Sequence, residues 1–365
     1  MQVILGEKFA FTAKPEWIFS PDTVAEVLRS FSFRPDVAAE LQAEANLLAS
    51  DTEKRTAFLT DFADWFEQGA ESGDHPGWPL WRALLVVAAL PHMQYLHQQI
   101  GIPTLVTSAT ACDLQRWVDN SLHASGLWHF DKDLWLRNHV QGKLFEVGRL
   151  QFAFGEWKYP FTVYQTAPGE PAVALANAGL NCSPEGWLQR GVPGFQTTLQ
   201  TTSATIRGNA ADPETGRIQS EKTILPAHSK ILMKMKTPVL DVHIPEGDTL
   251  RITDCVDSFK AACEFFKRLF PNRPFAAFCC DSWLLDRGLR RVLPAHSNIL
   301  KFGALFSPLA FPDANDDQLR ERVLEISVRR ETSLQRAIRT ELARGAVFRM
   351  TSGFIYRDVS VEMFP

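Results

Sequence analysis

Val239-Leu-Asp-Val-His-Ile-Pro245 is the stretch around which the rest of the chain is arranged. Polar and apolar side chains alternate along most of it, as they do along a strand with two unlike faces. One face would carry Leu240, Val242 and Ile244, and the other Val239, Asp241 and His243. Pro245 lacks a backbone N–H and ends the pattern. The stretch therefore predicts a strand that places two polar side chains on one face.

An amphipathic helix and a second strand follow. Apolar residues recur at three- and four-residue steps, which indicates one buried helical face: Val256, Phe259, Cys263, Phe266 and Phe270. Thr253 or Asp254 is predicted to cap the helix, and Pro271 to stop it. Phe275–Cys280 has no charge, as is typical of a buried strand. Strand, helix and strand at this spacing predict a right-handed βαβ unit.

Several short motifs resemble one protein family. They are Val239-Leu-Asp-Val-His-Ile-Pro245, Ser282-Trp-Leu-Leu-Asp286, Ser297-Asn-Ile299, Gly148-Arg-Leu-Gln-Phe152 and Ile206-Arg-Gly-Asn209. As a set they are similar to the bacterial GNAT-like acyltransferase-domain family, over roughly residue 110 to the C-terminus. The resemblance implies a Gcn5-related N-acetyltransferase fold and transfer of an acyl group from coenzyme A.

Composition excludes several classes of protein. The chain has 365 residues, a net charge of −4 and no basic run, which argues against nucleic acid as a partner. Its longest apolar run, Ala83–Leu90, is too short to span a bilayer, and no signal peptide is visible at Met1. The six cysteines form no C-x-x-C pair and are interpreted as reduced. We expect a cytoplasmic protein without a membrane or nucleic-acid partner.

The pattern of elements predicts an α+β or α/β fold in three parts. Residues 1–147 are predicted to be a helical N-terminal region, including a helix over Asp131–Val147 and one over Pro79–Gln99 that is kinked or broken at Pro91. The tryptophans are concentrated there and are interpreted as core side chains, with a flat platform for a ligand as the alternative. Residues 148–235 are predicted to be a β-rich, N-acyltransferase-like part, and 236–365 a GNAT-like domain with a mixed sheet. Pro308–Asp317 is predicted to be a loop.

His243 is the first candidate for catalysis, because ligands bind at the carboxyl ends of strands in open α/β sheets. Its imidazole could act as a general base, and Asp241, two residues earlier on the same face, could orient the ring. The alternative is a structural histidine. Among the family's roles, a tyrosine as general acid is assigned to Tyr356 from strand order, with core packing as the alternative.

A nucleophile is the second possibility. Cys280 or Ser282 follows the second strand, and activation by His243 would give a covalent acyltransferase or a hydrolase. Core packing for Cys280 and helix capping for Ser282 are the alternatives. No metal site is predicted, since no metal-binding motif is present.

Arginines after the second strand are the candidate cofactor-binding residues. Arg287, Arg290 and Arg291, with Ser282, could bind the phosphates of acetyl-CoA or another acyl-CoA, and a solvated helix face is the alternative. The loop Ile244–Leu250 departs from the family pattern. It has one glycine, two acidic residues and a proline, where a glycine-rich loop normally binds the pyrophosphate through backbone amides.

Three functions are compatible with these features. The first is an acyl-CoA-dependent acyltransferase acting on an amine or hydroxyl of a small molecule or protein. The second is a non-catalytic GNAT-like module that binds a ligand or a protein, and the third is a hydrolase. The sequence does not determine the oligomeric state.

Overall fold

The structure is a computed structural model and describes residues 15–73, 75–189, 193–247, 249–310, 319 and 333–356. These residues form two compact units. One comprises the described residues up to Gln151 together with 244–247, and the other comprises Phe152–His243 and the described residues from Thr249 onward. Within the described residues, no helix combines the length and the apolar character needed to cross a membrane.

The first unit is built from helices. They are α1 Pro21–Ser30, α2 Pro35–Ser50, α3 Thr52–Ala63, α4 Trp81–Ile100, α5 Thr104–Ala111, α6 Asp113–Ser125 and α7 Asp133–Val140, with a 3-10 turn at Pro15–Phe19 and a π turn at Asp64–Gln68. Asp51 caps α3 by accepting a hydrogen bond from the N–H of Lys54. Strand β1, Leu144–Val147, follows α7.

Helix α4 lies at the centre of this unit. Along its first half, Trp81–Leu90, every residue but Arg82 is buried. A helix that is apolar on all sides must be surrounded by other elements of the fold. Trp65 and Trp81 are fully buried, and Trp17, Trp78, Trp117, Trp128 and Trp135 pack against the same core. The interpretation of these tryptophans as core side chains is confirmed.

Two expectations for the helical region are corrected. The helix expected over Asp131–Val147 ends at Val140, and Leu144–Val147 is a fully buried strand. Helix α4 continues through Pro91, so a break there is wrong. The packing of a helix buried on all sides outweighs the ~3 kcal/mol that an interior proline costs.

Among the described residues, the strands of the second unit belong to three sheets. Its strands are β2 Leu150–Glu156, β3 Phe161–Gln165, β4 Val173–Ala176, β5 Asn181–Cys182, β6 Phe195–Gln196, β7 Leu199–Thr201, β8 Thr205–Ala211, β9 Ile218–Pro226, β10 Lys230–Met233, β11 Pro238–His243, β12 Ala277–Ser282, β13 Ser307–Ala310 and β14 Thr351–Tyr356. The smallest sheet is the pair β5 and β6. Five neighbouring strands of one main sheet follow the order β2-β11-β12-β14-β13. The other main sheet follows β10-β3-β4-β8-β7, with β9 also paired to β8.

The predicted βαβ unit is present. Helix α8, Ile252–Leu269, connects β11 to the parallel strand β12. Its residue Phe259 packs against Phe278 of β12, with ring centroids 4.9 Å apart. The mixed α/β fold expected from the sequence is therefore confirmed. The cap is corrected, since α8 starts at Ile252 and its N-cap residue, Arg251, makes no side-chain capping bond.

Helices α9, Asn298–Ala304, and α10, Ser333–Ala343, complete the unit. Pro308 and Ala310 belong to strand β13 rather than to the expected loop, and residues 311–317 of that expectation lie outside the described residues.

The hairpin between β8 and β9 reaches strand β13. Gly216 lies in its turn with φ +75°, and a Cβ atom there would be 2.9 Å from the backbone nitrogen of Leu309. The N–H of Ala310 donates a hydrogen bond of 2.9 Å to the carbonyl of Gly216. This close backbone contact requires a glycine at position 216.

Candidate active site

Two carboxylates share one face of the parallel pair β11 and β12. Asp241 pairs in register with Cys279, and Asp281 lies two residues further along β12. Alternation along a strand places Cys279 and Asp281 on the same side of the sheet. Both aspartates are near the carboxyl ends of their strands, which is where open α/β sheets bind ligands.

Asp281 is fixed by three partners. Lys158 places its Nζ 2.7 Å from Oδ2, while the hydroxyl groups of Tyr159 and Ser352 donate to Oδ1 at 2.8 and 2.7 Å. Burial alone would lower the pKa of Lys158, but the hydrogen bond to Asp281 and its charge raise that pKa overall. Burial, with the neighbouring Cys279 and Asp281, raises the pKa of Tyr159, so its phenol stays protonated and keeps donating.

Asp241 is in a different environment. Among the described residues, no donor makes a hydrogen bond to its half-buried carboxyl group. The pKa of Asp241 is raised to about 6, mainly by burial; the charge of Lys158 opposes this rise and the charge of Asp281 adds to it. A carboxyl group with this pKa can exchange a proton near neutral pH, as a general acid or base must.

Gly155 of β2 makes room for that carboxyl group. A Cβ atom at position 155 would lie 2.3 Å from Oδ2 of Asp241, which is closer than a Cβ atom and a non-bonded heavy atom approach in proteins. A side chain there would displace Asp241, and the conformation of the aspartate thus depends on a glycine in the strand.

His243 is the last residue of β11 and is half-buried. The alternation of the strand places it on the same face as Asp241, so the structure brings these two predicted residues to one strand end. Their catalytic roles remain predictions.

Tyr356 is not brought to this end. It is opposite Ala277, whereas Ser352 is opposite Asp281. Four residues along a strand correspond to roughly 13 Å. Tyr356 packs instead, half-buried, against the core that contains Phe354. This position favours the packing alternative.

The predicted nucleophiles lie on the opposite face. Cys280 and Ser282 alternate with Cys279 and Asp281 along β12, so they point away from the side that carries His243. Cys280 is 2% exposed, and its burial raises the pKa of the thiol. A thiol that is buried and protonated is a poor nucleophile.

The predicted phosphate-binding residues follow β12. Ser282 accepts a hydrogen bond from the N–H of Leu284 and caps a 3-10 turn. The guanidinium of Arg287 donates to the carbonyl groups of Glu214 and Phe306, both at 3.1 Å. Arg290 and Arg291 are exposed at the end of the next turn. Binding of coenzyme A by these residues remains a prediction.

Sequence reasoning missed Lys158, Tyr159, Asp281 and Ser352 as a group. One signal was available for Asp281. The two predicted parallel strands each have an aspartate near the carboxyl end, Asp241 in the first and Asp281 in the second. The other three come from distant parts of the chain.

Comparisons with known proteins agree with this fold. Residues 144–355 match the model of the GNAT-like C-terminal domain, and residues 22–142 match that of the N-acyltransferase N-terminal domain. The chain therefore belongs to the family that combines these two domains, and the resemblance noted in the sequence is confirmed.

Solved acyltransferases have a similar fold. One, in complex with decanoyl-CoA and teicoplanin, is 18% identical over 92% of this chain and 88% of its own, with a TM-score of 0.58. An acyltransferase mutant in complex with octanoyl-CoA is 18% identical over 97% and 98% of the two chains, with a TM-score of 0.59. No curated protein sequence matches the chain. At this identity the likeness concerns the fold alone.

Proposed function

We propose that the protein is an acyltransferase that moves an acyl group from an acyl-CoA to an amine or hydroxyl group of a small-molecule acceptor. The observation that carries this proposal is the asymmetric pair of carboxylates at the ends of β11 and β12. Asp281 has three partners, whereas Asp241 has no hydrogen-bond donor among the described residues. The family and the acyl-CoA complexes of similar structures support the choice of donor.

In the proposed reaction, the nitrogen or oxygen of the acceptor attacks the carbonyl carbon of the thioester. His243, which shares its strand face with Asp241, accepts the proton that the acceptor loses. The carbon–sulfur bond then breaks, the thiolate of coenzyme A leaves, and the proton passes from the base to that sulfur. Acyl-CoA and acceptor thus become acylated acceptor and free coenzyme A.

Octanoyl-CoA and decanoyl-CoA are the first donors to test, because similar structures contain them, and acetyl-CoA is the short-chain comparison. Each is titrated calorimetrically and then incubated with a panel of aryl amines, amino sugars and alcohols, with products detected by mass spectrometry. We expect one donor to bind with a micromolar Kd and to acylate at least one class of acceptor.

The other functions predict different results. No heat and no thermal shift with any of the three donors would contradict an acyl-CoA enzyme and favour the non-catalytic module. Steady release of coenzyme A without an acceptor, abolished by Cys280→Ala or Ser282→Ala, would favour the hydrolase.

A further inference from the structure

Two of the short motifs noted in the sequence meet at one hydrogen bond. Nη1 of Arg149 donates to the carbonyl oxygen of Pro245 at a distance of 2.9 Å. Arg149 belongs to the motif Gly148–Phe152, and Pro245 closes the motif Val239–Pro245, which contains His243. The acyl transfer proposed above assigns no role to Arg149.

This bond holds the chain just beyond β11. The strand ends at His243, so Ile244 and Pro245 lie outside it. Pro245 is buried, and a buried carbonyl group needs a hydrogen-bond donor. A guanidinium is a charged donor, and bonds from charged donors are stronger than those between neutral groups. Because each residue spans at most about 3.6 Å, the chain is held within about 7 Å of the Cα atom of His243.

The segment that carries Arg149 is itself fixed. Gly148 and Arg149 form a two-residue turn between β1 and β2, and turns of this length have a narrowly defined backbone conformation. Beside the turn, Nε2 of Gln151 donates to Oε2 of Glu146 at 3.1 Å, and both side chains are buried. The guanidinium of Arg116 donates two further bonds to this carboxylate, at 2.5 and 2.6 Å. Arg149 therefore extends from a rigid base.

A second contact to the segment after β11 differs in kind. Nδ2 of Asn120 donates to Oε2 of Glu246 at 2.7 Å. Glu246 is exposed, and the contact is made by its flexible side chain rather than by its backbone. Loss of Asn120 would thus remove a contact without releasing the backbone, which makes Asn120 a comparison for Arg149.

We propose that Arg149 is a positioning residue, which holds the end of β11 so that the imidazole of His243 stays where the reaction needs it. This role rests on the proposed function, in which His243 accepts the proton of the acceptor. A misplacement of about 1 Å at a reacting group can lower a rate by about two orders of magnitude. A residue that fixes the backbone two positions away can therefore affect turnover without touching the substrate.

Steady-state kinetics of the full chain test the effect on turnover. Arg149→Met keeps the length of the side chain but removes the donor, so kcat should fall about tenfold while the KM of the acyl-CoA stays within about twofold. Arg149→Lys keeps a charged donor, so it should lose at most about threefold in kcat. Asn120→Ala, and Arg268→Met at an exposed site on α8, are the controls and should leave kcat unchanged.

Nitrogen-15 relaxation of the backbone tests the position of His243 without any acyl donor. Order parameters of about 0.85 are typical of a rigid backbone. We expect this value at His243 and Ile244 in the wild type, and a fall below about 0.7 in Arg149→Met. Arg149→Lys should lie between these values, and the two controls should match the wild type.

Unchanged order parameters at His243 in Arg149→Met would overturn the proposal, as would an unchanged kcat. A higher KM of the acyl-CoA with an unchanged kcat would also overturn it, since Arg149 would then bind the donor. If the wild type transfers no acyl group, the proposed function fails, and the order parameters still decide whether Arg149 holds His243. Arg149→Gln replaces the methionine variant if that variant does not fold.

Discussion

Gly155 and Asp241 are in such close contact that a Cβ atom on the glycine would lie 2.3 Å from a carboxylate oxygen of the aspartate. Gly155 belongs to β2 and Asp241 to the neighbouring strand β11. The position of the raised-pKa carboxyl group thus depends on the absence of a side chain on the next strand.

We expect Gly155→Ala to lower the free energy of unfolding by about 1–3 kcal/mol, because the added methyl group displaces a half-buried carboxyl group. Combination with Asp241→Ala should remove most of this cost, since the clashing atoms are gone. Urea unfolding of the single and double variants measures the coupling. Gly208→Ala, in strand β8, is the control, and its cost should add to that of Asp241→Ala. Simple additivity for Gly155→Ala as well would contradict the contact.

Asp241→Asn tests the raised pKa. The folded-state pKa of about 6 is above the usual value of 3.8, so this group stabilises the fold most below about pH 4 and loses that contribution as pH rises through 6. Two pH units correspond to at most ~3 kcal/mol. We therefore expect the variant to gain stability relative to the wild type between pH 4 and pH 8. Thermal melts across this range measure the difference.

Asp257→Asn, on α8, removes an exposed negative charge and controls for the change in net charge. A wild-type protein that keeps a constant stability difference from Asp241→Asn at every pH would show that Asp241 titrates normally.

His243→Gln tests the proton acceptor. Glutamine keeps a hydrogen-bonding group but cannot accept a proton near neutral pH, so turnover should fall by ~10²–10⁴ while the Tm is unchanged. Asp257→Asn, which changes an exposed residue of α8, should retain turnover. Full activity of the glutamine variant would exclude a catalytic base at position 243, and a loss of stability without a specific loss of turnover would indicate a structural histidine.

The partners of Asp281 should differ in their contributions to stability. Tyr159 is 3% exposed and donates to a carboxylate, so Tyr159→Phe should cost about 1.5–3 kcal/mol. The side chain of Lys158 is 57% exposed, so Lys158→Met should cost at most about 1 kcal/mol although its contact is just as short. Chemical denaturation at pH 7 gives both values. The reverse order would mean that solvent screens the ion pair less than its exposure indicates.

The elements around β11 could be predicted because their signals are local. Alternation along Pro238–His243 and the three- and four-residue steps of Ile252–Leu269 each lie within one element. Strand β1 was missed because Leu144–Val147 is buried on both faces and does not alternate. A run of only four residues directly after a helix is compatible both with a longer helix and with a new strand, so its periodicity does not distinguish the two.

The candidate site was predicted only in part, for a different reason. Asp241 and His243 are two residues apart and share a face in any strand. Asp281, by contrast, meets Tyr159 across 122 residues of sequence and Ser352 across 71. Sheet order decides such contacts, and no local pattern encodes it. Tyr356 is a second example. Its role was assigned from the order of the strands, which does not show that it lies opposite Ala277, at the end of β12 away from Asp281.

The hydrogen bond between Gly216 and Ala310 has a consequence for the edge of a sheet. Among the described residues, β13 is the last strand of its sheet, and an edge strand can pair with a strand from a second molecule. The turn at Gly216 covers part of that edge, because its carbonyl group already occupies the N–H of Ala310. A strand from a second molecule could therefore not pair with the N–H of Ala310 at this point of the edge.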